Sequence, residues 1–392
     1  MSEAGKGHAY ERIPYMIVFQ EKAAYKDTYA GELGIVALKA HLLKPARPSK
    51  TVLVFMHPIG GGEYLPMPVA LAKAGHHVIY CNSRYPGVDY ALQMEKVVLD
   101  LGACIRDAKE RLGYERVVLA GWSGGGSLSA FYQAEAESPS VKATPAGEPF
   151  DLAQARLIGA DALMLLAAHV SRAVTLTENL DACLLDESDP ERRVRELDLY
   201  DPLNPNRPPY SADFLGRYRA AQIERNRRIT AWVRERLERL RGSGRPHEEF
   251  AFVVHGTLAD PRWLDASIDP NDRVPGTCFL GEPRLVNNGP VGLARFCTLR
   301  SWLSQWSYEA SNADGVRSLK RIAAPVLVLG NSADNICTPS HTRRLFEAIR
   351  HADKECAEIK GATHYYIGQK TQLEEAVKVI DNWLQRHALG AG

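Results

Sequence analysis

The sequence predicts an α/β protein with a mostly parallel central sheet flanked by helices, and three observations carry that reading. Between residues 51 and 130, short β-branched apolar runs alternate with stretches of helical period, the pattern of a parallel sheet covered on both faces. The alternation stops after His169 and resumes at Pro325, as it does when one unit is inserted into another. The composition is that of an ordinary globular chain, 392 residues with 45% hydrophobic and 24% charged, which can bury a core without disulfide or metal staples.

Residues 51–56 (TVLVFM), 77–81 (HVIYC) and 117–120 (VVLA) read as strands, with helices over 66–74 and 90–112 between them. Residues 162–168 (ALMLLAA) are nearly continuous in apolar character and read as a buried strand. Acid- and proline-rich loops follow at 186–193 and 201–210, then a long helix over 211–241, an Asp/Pro loop at 260–273 and a second helix over 291–309. The closing part reads as a strand at 325–330 (PVLVLG), a helix over 342–352, a strand at 356–359 and a helix over 373–386. The expected domains are a core of residues 1–169 and 316–392 and a largely helical cap of residues 170–315, inserted after the strand that follows the Ser123 helix.

Charge and hydropathy exclude several functions. The 48 Lys and Arg balance 47 Asp and Glu, a net charge of +1, too little to hold a polyanion, so no nucleic-acid partner is expected. The longest apolar runs, such as 162–170, are half of what a bilayer span requires. Residues 1–10 lack the basic, apolar and small-residue succession of a secretory leader, and the expected location is cytoplasmic. Seven scattered cysteines without a C-x-x-C pair point to neither a disulfide framework nor a zinc site, and no cofactor or metal is expected.

The chemistry gathers at strand ends. Gly121-Trp122-Ser123-Gly124-Gly125-Gly126 follows the VVLA strand and runs directly into a helix-compatible stretch. A strand reversing into a helix forces its middle residue into a strained conformation and leaves no room for flanking side chains, which the glycines satisfy. Ser123 would stand at the tip of that turn. A serine hydroxyl needs a base, and the base needs an orienting carboxylate. Asp334 lies four residues past the PVLVLG strand, and His364 five residues past the last strand. His169, at the end of the ALMLLAA strand, is the one serious competitor for the base, but no acid closely follows it. Two backbone N–H groups are needed for an oxyanion. Gly124 supplies one, and the glycine-rich loop His57-Pro58-Ile59-Gly60-Gly61-Gly62 the other, from Ile59 or, second, Gly60.

Taken in order, HPIGGG, GWSGGG, GNSAD and GATH resemble the α/β-hydrolase superfamily over residues 35–169 and 316–392. The resemblance implies an α/β-hydrolase fold, Ser123 as nucleophile, Asp334 as acid, His364 as base, and Ile59 and Gly124 as the oxyanion hole. Pro58 stands where short esterases commonly have glycine, and Ser123, where dehalogenases and epoxide hydrolases carry Asp, argues against both.

In the insert, the 211–241 helix carries an apolar stripe and nine arginines, read either as solvated partners of nearby acids or as a carboxylate-attracting or dimer-forming face through Arg225 and Arg228. Trp302 and Trp306, four residues apart on one helix face, are read as core or as a pocket wall; with Trp122 beside Ser123 they are the expected substrate-binding residues. The expected activity is hydrolysis of a small or medium carboxylic ester through an acyl-enzyme on Ser123. A carbon–carbon bond hydrolase or thioesterase with the same triad, and a catalytically silent ligand-binding relative, are the alternatives. The expected partner is a small-molecule ester or acyl substrate, with a homodimer left open.

Overall fold

The computed structural model describes residues 8–26, 28 and 32–391, so most of the 1–10 segment read above as lacking a leader lies outside the described residues. Strands β1 (Tyr10–Gln20), β2 (Ile35–Pro45), β3 (Thr51–Phe55), β4 (His77–Cys81), β5 (Arg116–Trp122) and β6 (Ala162–Leu166) precede the insert. A small hairpin, β7 (Ala251–Val253) and β8 (Phe296–Thr298), lies within it, and β9 (Val326–Asn331) and β10 (Lys354–Ile359) follow. Eight strands form one sheet in the order β1-β2-β4-β3-β5-β6-β9-β10. From β4 to β10 neighbours run parallel; β1 and β2 add an antiparallel edge.

Helices α1 (Pro66–Lys73), α2 (Met94–Glu110), α3 (Gly124–Glu137), α4 (Arg172–Asn179), α5 (Ala212–Gly242), α6 (Pro283–Val286), α7 (Leu299–Ser301), α8 (Gly315–Leu319), α9 (Pro339–Ala348) and α10 (Lys370–Arg386) complete the fold. Strands β3, β4, β6 and β9 are buried along their whole length, which is why they read as continuous apolar runs. One face of the sheet packs Val54, Val117, Leu119 and Leu165 against α2 and α3. The other packs Leu53, Val118, Met164 and Leu327 against α1 and α10.

Strands β6 and β9 are neighbours, with Leu163 opposite Val326, so the long insert leaves and re-enters the sheet at adjacent strands. Its own core gathers Ile229, Val233 and Leu237 of α5 around Trp302. Ser211 caps α5, its hydroxyl accepting from the Phe214 amide at 3.2 Å. Arg225 is 1% exposed and is spent inside the insert, on Glu187 and on the carbonyls of Asp181, His255 and Gly256. Arg228 remains partly exposed and faces Glu187 at 3.7 Å.

The helix expected over 291–309 is much shorter. Residues 296–298 pair with β7 instead, and Thr298 then opens the helix through a capping box with Ser301. From Trp302 the backbone widens into a single π-turn closed by the Ser307 amide on the Trp302 carbonyl at 2.9 Å. Glycines and Pro290 at 289–292 leave the first half without helical support. Helix α2 starts at Met94 rather than residue 90, and its Met94 amide is capped by Ser304 Oγ from the insert at 2.7 Å.

Candidate active site

The carboxyl ends of β3, β5, β6, β9 and β10 deliver five side chains to one edge of the sheet: His57, Ser123, His169, Asp334 and His364. Ser123 has φ 53° and ψ −122°, a conformation that costs a non-glycine residue on the order of 1–3 kcal/mol. Its neighbours explain why it persists. A Cβ on Gly121 would lie 2.6 Å from the Gly125 carbonyl oxygen, one on Gly125 would lie 2.5 Å from that of Met56, and one on Gly126 would strike Ala168. Helix and strand close on each other only where those side chains are missing, and the Ser123 amide is tied to the Leu166 carbonyl at 3.1 Å.

Asp334 is fully buried, and its carboxylate is saturated. Oδ1 accepts from the Ile336 and Cys337 amides at 2.9 and 3.0 Å, and Oδ2 accepts from His364 Nδ1 at 2.6 Å. With Nδ1 donating, Nε2 of His364 is left as the acceptor. Both loops are braced: the Ala333 amide donates to the Ala362 carbonyl at 2.8 Å, and Asn331 Nδ2 to the Thr363 carbonyl at 2.9 Å. Trp122 ties the base to the turn, its Nε1 donating to the His364 carbonyl at 3.2 Å and its ring lying 4.8 Å from the imidazole centroid.

Ser123, His364, His169, Trp122, Arg172 and Trp306 all line one cavity of about 360 Å³, together with insert residues such as Leu280 and Leu293. His169 thus enters the site, but Asp334 bonds His364, and His169 Nδ1 has no partner. Trp302 does not line the cavity. Its Nε1 donates to Thr230 Oγ1 at 3.0 Å inside the insert, where Trp302 packs with Ile229, Val233 and Leu237 of α5. Gly60 is also removed from the oxyanion role: its N–H is spent on the His57 carbonyl at 2.9 Å, and its φ of 65° is what the turn needs from glycine. The Ile59 amide makes only a long 3.4 Å contact to His57 Nδ1, and Gly124, first in α3, has no intrahelical acceptor.

Burial governs the other imidazoles. His57 is pushed down to about 3, by burial first and then by the charges of Arg172 and His364. Burial likewise holds His169 well below the usual histidine range. Both sit beside Gly124, where an added Cβ would lie 2.8 Å from His57 Nε2 and 3.3 Å from His169 Nε2. The folded protein keeps them neutral while the unfolded chain protonates near pH 6.5, so their contribution to stability is present above that pH and lost as pH falls. Burial raises Asp89, Glu95 and Asp100, whose contribution has the opposite sign. Urea unfolding of wild type and His57→Gln between pH 6.5 and 5 separates the two: the variant is expected to lose up to about 1.4 kcal/mol per pH unit of acid sensitivity.

Among the described residues, two groups bring metal-type ligand atoms within 4.8 Å of one another: Asp334, Cys337 and His364, and Asp181, Cys183 and Asp198. In the first the His364–Asp334 hydrogen bond already joins two members, and burial pushes the Cys337 thiol up, away from the thiolate a metal needs. In the second Asp181 and Asp198 are both paired with Arg193, and the Cys183 thiol is likewise raised by burial.

Three features were not read from the sequence. Arg172 and Asp89 face the cavity. The 260–273 loop, read as turn-forming, also grips the acid loop: Asn271 Nδ2 donates to the Asp334 carbonyl at 2.7 Å, Trp263 Nε1 to that of Asn335 at 2.5 Å, and the Asp272 amide to that of Ser332 at 2.6 Å. A charged residue directly past a buried strand, in the chain order His169-Val170-Ser171-Arg172, was the available signal for Arg172, since ligands bind at the carboxyl edge of such sheets.

Against solved structures, the chain superposes on DcsB in complex with a substrate analogue with a TM-score of 0.51 at 13% identity, covering 97% of this chain and 100% of that one. It matches the α/β hydrolase GrgF from Penicillium sp. sh18 with a TM-score of 0.50 at 10% identity over 96% and 99%. It also matches a monoacylglycerol lipase from Paleococcus ferrophilus with a TM-score of 0.45 at 18% identity over 89% and 99%. No family model and no curated protein sequence matches the chain. The fold is that of the α/β hydrolases, with the eight-stranded, mostly parallel sheet expected from the sequence. Among the described residues no helix is long and apolar enough to cross a membrane.

Proposed function

We propose that this chain is a serine hydrolase that cleaves a carboxylic ester of a small or medium substrate through an acyl-enzyme on Ser123, with residues 170–315 as the cap over the site. The observation that carries the reading is a serine held at φ 53° in the wall of a cavity shared with an imidazole whose Nδ1 is locked to a buried carboxylate at 2.6 Å. In this reading His364 Nε2 takes the Ser123 proton as Oγ attacks the ester carbonyl, and the Gly124 and Ile59 amides receive the charge on the carbonyl oxygen. His364 then returns the proton to the departing alcohol. Water repeats the sequence on the acyl-enzyme, releasing the acid and restoring Ser123. Asp334 fixes the tautomer.

A fluorophosphonate probe tests the reading. One equivalent is expected to add to Ser123, as seen by intact mass and peptide mapping, with parallel loss of nitrophenyl-ester hydrolysis. Label on another residue, or hydrolysis surviving full labelling of Ser123, overturns it.

A further inference from the structure

Among the described residues, Arg172 and Asp89 are the sole ones of the Lys, Arg, Asp and Glu types that line the cavity. Arg172 opens α4, directly past β6, and is 5% exposed. The start of a helix is the wrong end for a cation, since the macrodipole there already favours negative charge, so helix stability does not account for this arginine. Its hydrogen bonding does not either. Nη2 reaches Asp89 Oδ2 over 3.3 Å, and Nε has no partner. The guanidinium carbon stands 4.2 Å from the ring centroid of Trp306, whose own Nε1 is buried and unpartnered. The third unpartnered nitrogen nearby is His169 Nδ1.

Buried donors without acceptors are costly, and here several belong to side chains that line one cavity beside Ser123. Such a cluster calls for an acceptor that arrives from outside. A single guanidinium already shared with Asp89 matches a monoanion better than a doubly charged phosphate. The ring of Trp306 holds the guanidinium plane in place, which limits what is lost in ordering it.

We propose that the natural substrate carries a carboxylate besides its scissile ester, and that Arg172, with the Trp306 indole N–H beside it, binds that carboxylate. The proposal rests on the hydrolase reading of Ser123 and names its substrate class. Arg172 is pushed down to about 10 by burial, and so remains a cation at neutral pH.

Two matched ester pairs test this, one for each side of the scissile bond: 4-nitrophenyl hydrogen adipate against its methyl ester, and 4-acetoxybenzoate against its methyl ester. Wild type is expected to prefer the anionic member of at least one pair in kcat/KM. Arg172→Met is expected to reduce that anionic-to-neutral ratio about 10- to 100-fold, with Arg172→Lys in between. Neutral preference in both pairs, or an equal loss on both members of the preferred pair, overturns the proposal. If Arg172→Met does not fold, Asp89→Asn carries the test: removal of the competing carboxylate raises the ratio, and an unchanged or lower ratio overturns the proposal. Calorimetric titration of Ser123→Ala with the same esters separates the two readings. Tighter binding of the anionic ester together with a Ser123 that resists the fluorophosphonate leaves the carboxylate site standing and removes the hydrolase.

Discussion

Ser123→Ala is expected to lower kcat for an activated ester by about 10⁶-fold, and Asp334→Asn by about 10⁴-fold, with folding retained in both. The second number follows from how the acid is held. Asparagine Oδ1 still accepts from the Ile336 and Cys337 amides, so the loop keeps its shape. Its Nδ2 would then donate toward His364, where Oδ2 now accepts, and the imidazole must turn its N–H to Nε2. An imidazole protonated at Nε2 cannot take the serine proton. The measurement is kcat with 4-nitrophenyl acetate, with thermal unfolding as the control. A drop of less than about tenfold for Ser123→Ala would remove it as nucleophile.

The second large effect is steric. Gly125→Ala places a Cβ 2.5 Å from the Met56 carbonyl oxygen, and backbone on both sides must move. Overpacking of this kind costs about 1–3 kcal/mol of stability. The functional cost is larger, since the shift falls on the residue pair that sets Ser123, and a displacement near 1 Å is worth about 10²-fold in rate. Gly216→Ala in α5 is the contrast. That position is exposed, helical and has nothing within 4 Å of the added carbon, so a gain of about 0.5–1 kcal/mol is expected. Urea unfolding of the two variants beside wild type reads both, and the opposite order would refute the packing argument.

Much of the site was legible because its constraints are local. Gly121, Gly125 and Gly126 are required by contacts within a few residues or with the adjoining strand ends. Asp334 was found by its distance past β9, whose burial made it an unmistakable run, and His364 by its distance past the half-exposed edge strand β10. The hairpin of β1 and β2 went unread although it carries the apolar runs 15–19 and 35–38: it is half-exposed on its outer face, and Pro14, tolerated only at a sheet edge, interrupts the strand pattern. The choice between Ile59 and Gly60 also lay beyond the sequence, since it turns on which N–H the loop spends on itself. In the insert, helical periodicity placed α5 well but overextended the Trp302–Trp306 helix, where strand pairing with β7 overrides local preference. Arg225 looked like a surface cation because its partners, Glu187 and three carbonyls, are remote in sequence.

The grip of Asn271, Trp263 and Asp272 on the Asp334 loop bears on how this molecule can be re-engineered. An insert that lines a cavity invites truncation to admit bulkier compounds. Here that segment doubles as a splint: excising it strips partners from the very backbone that keeps the carboxylate in register. Enlargement is safer by point substitution at Leu280 or Val291, insert residues that line the cavity and lie outside the 260–273 segment.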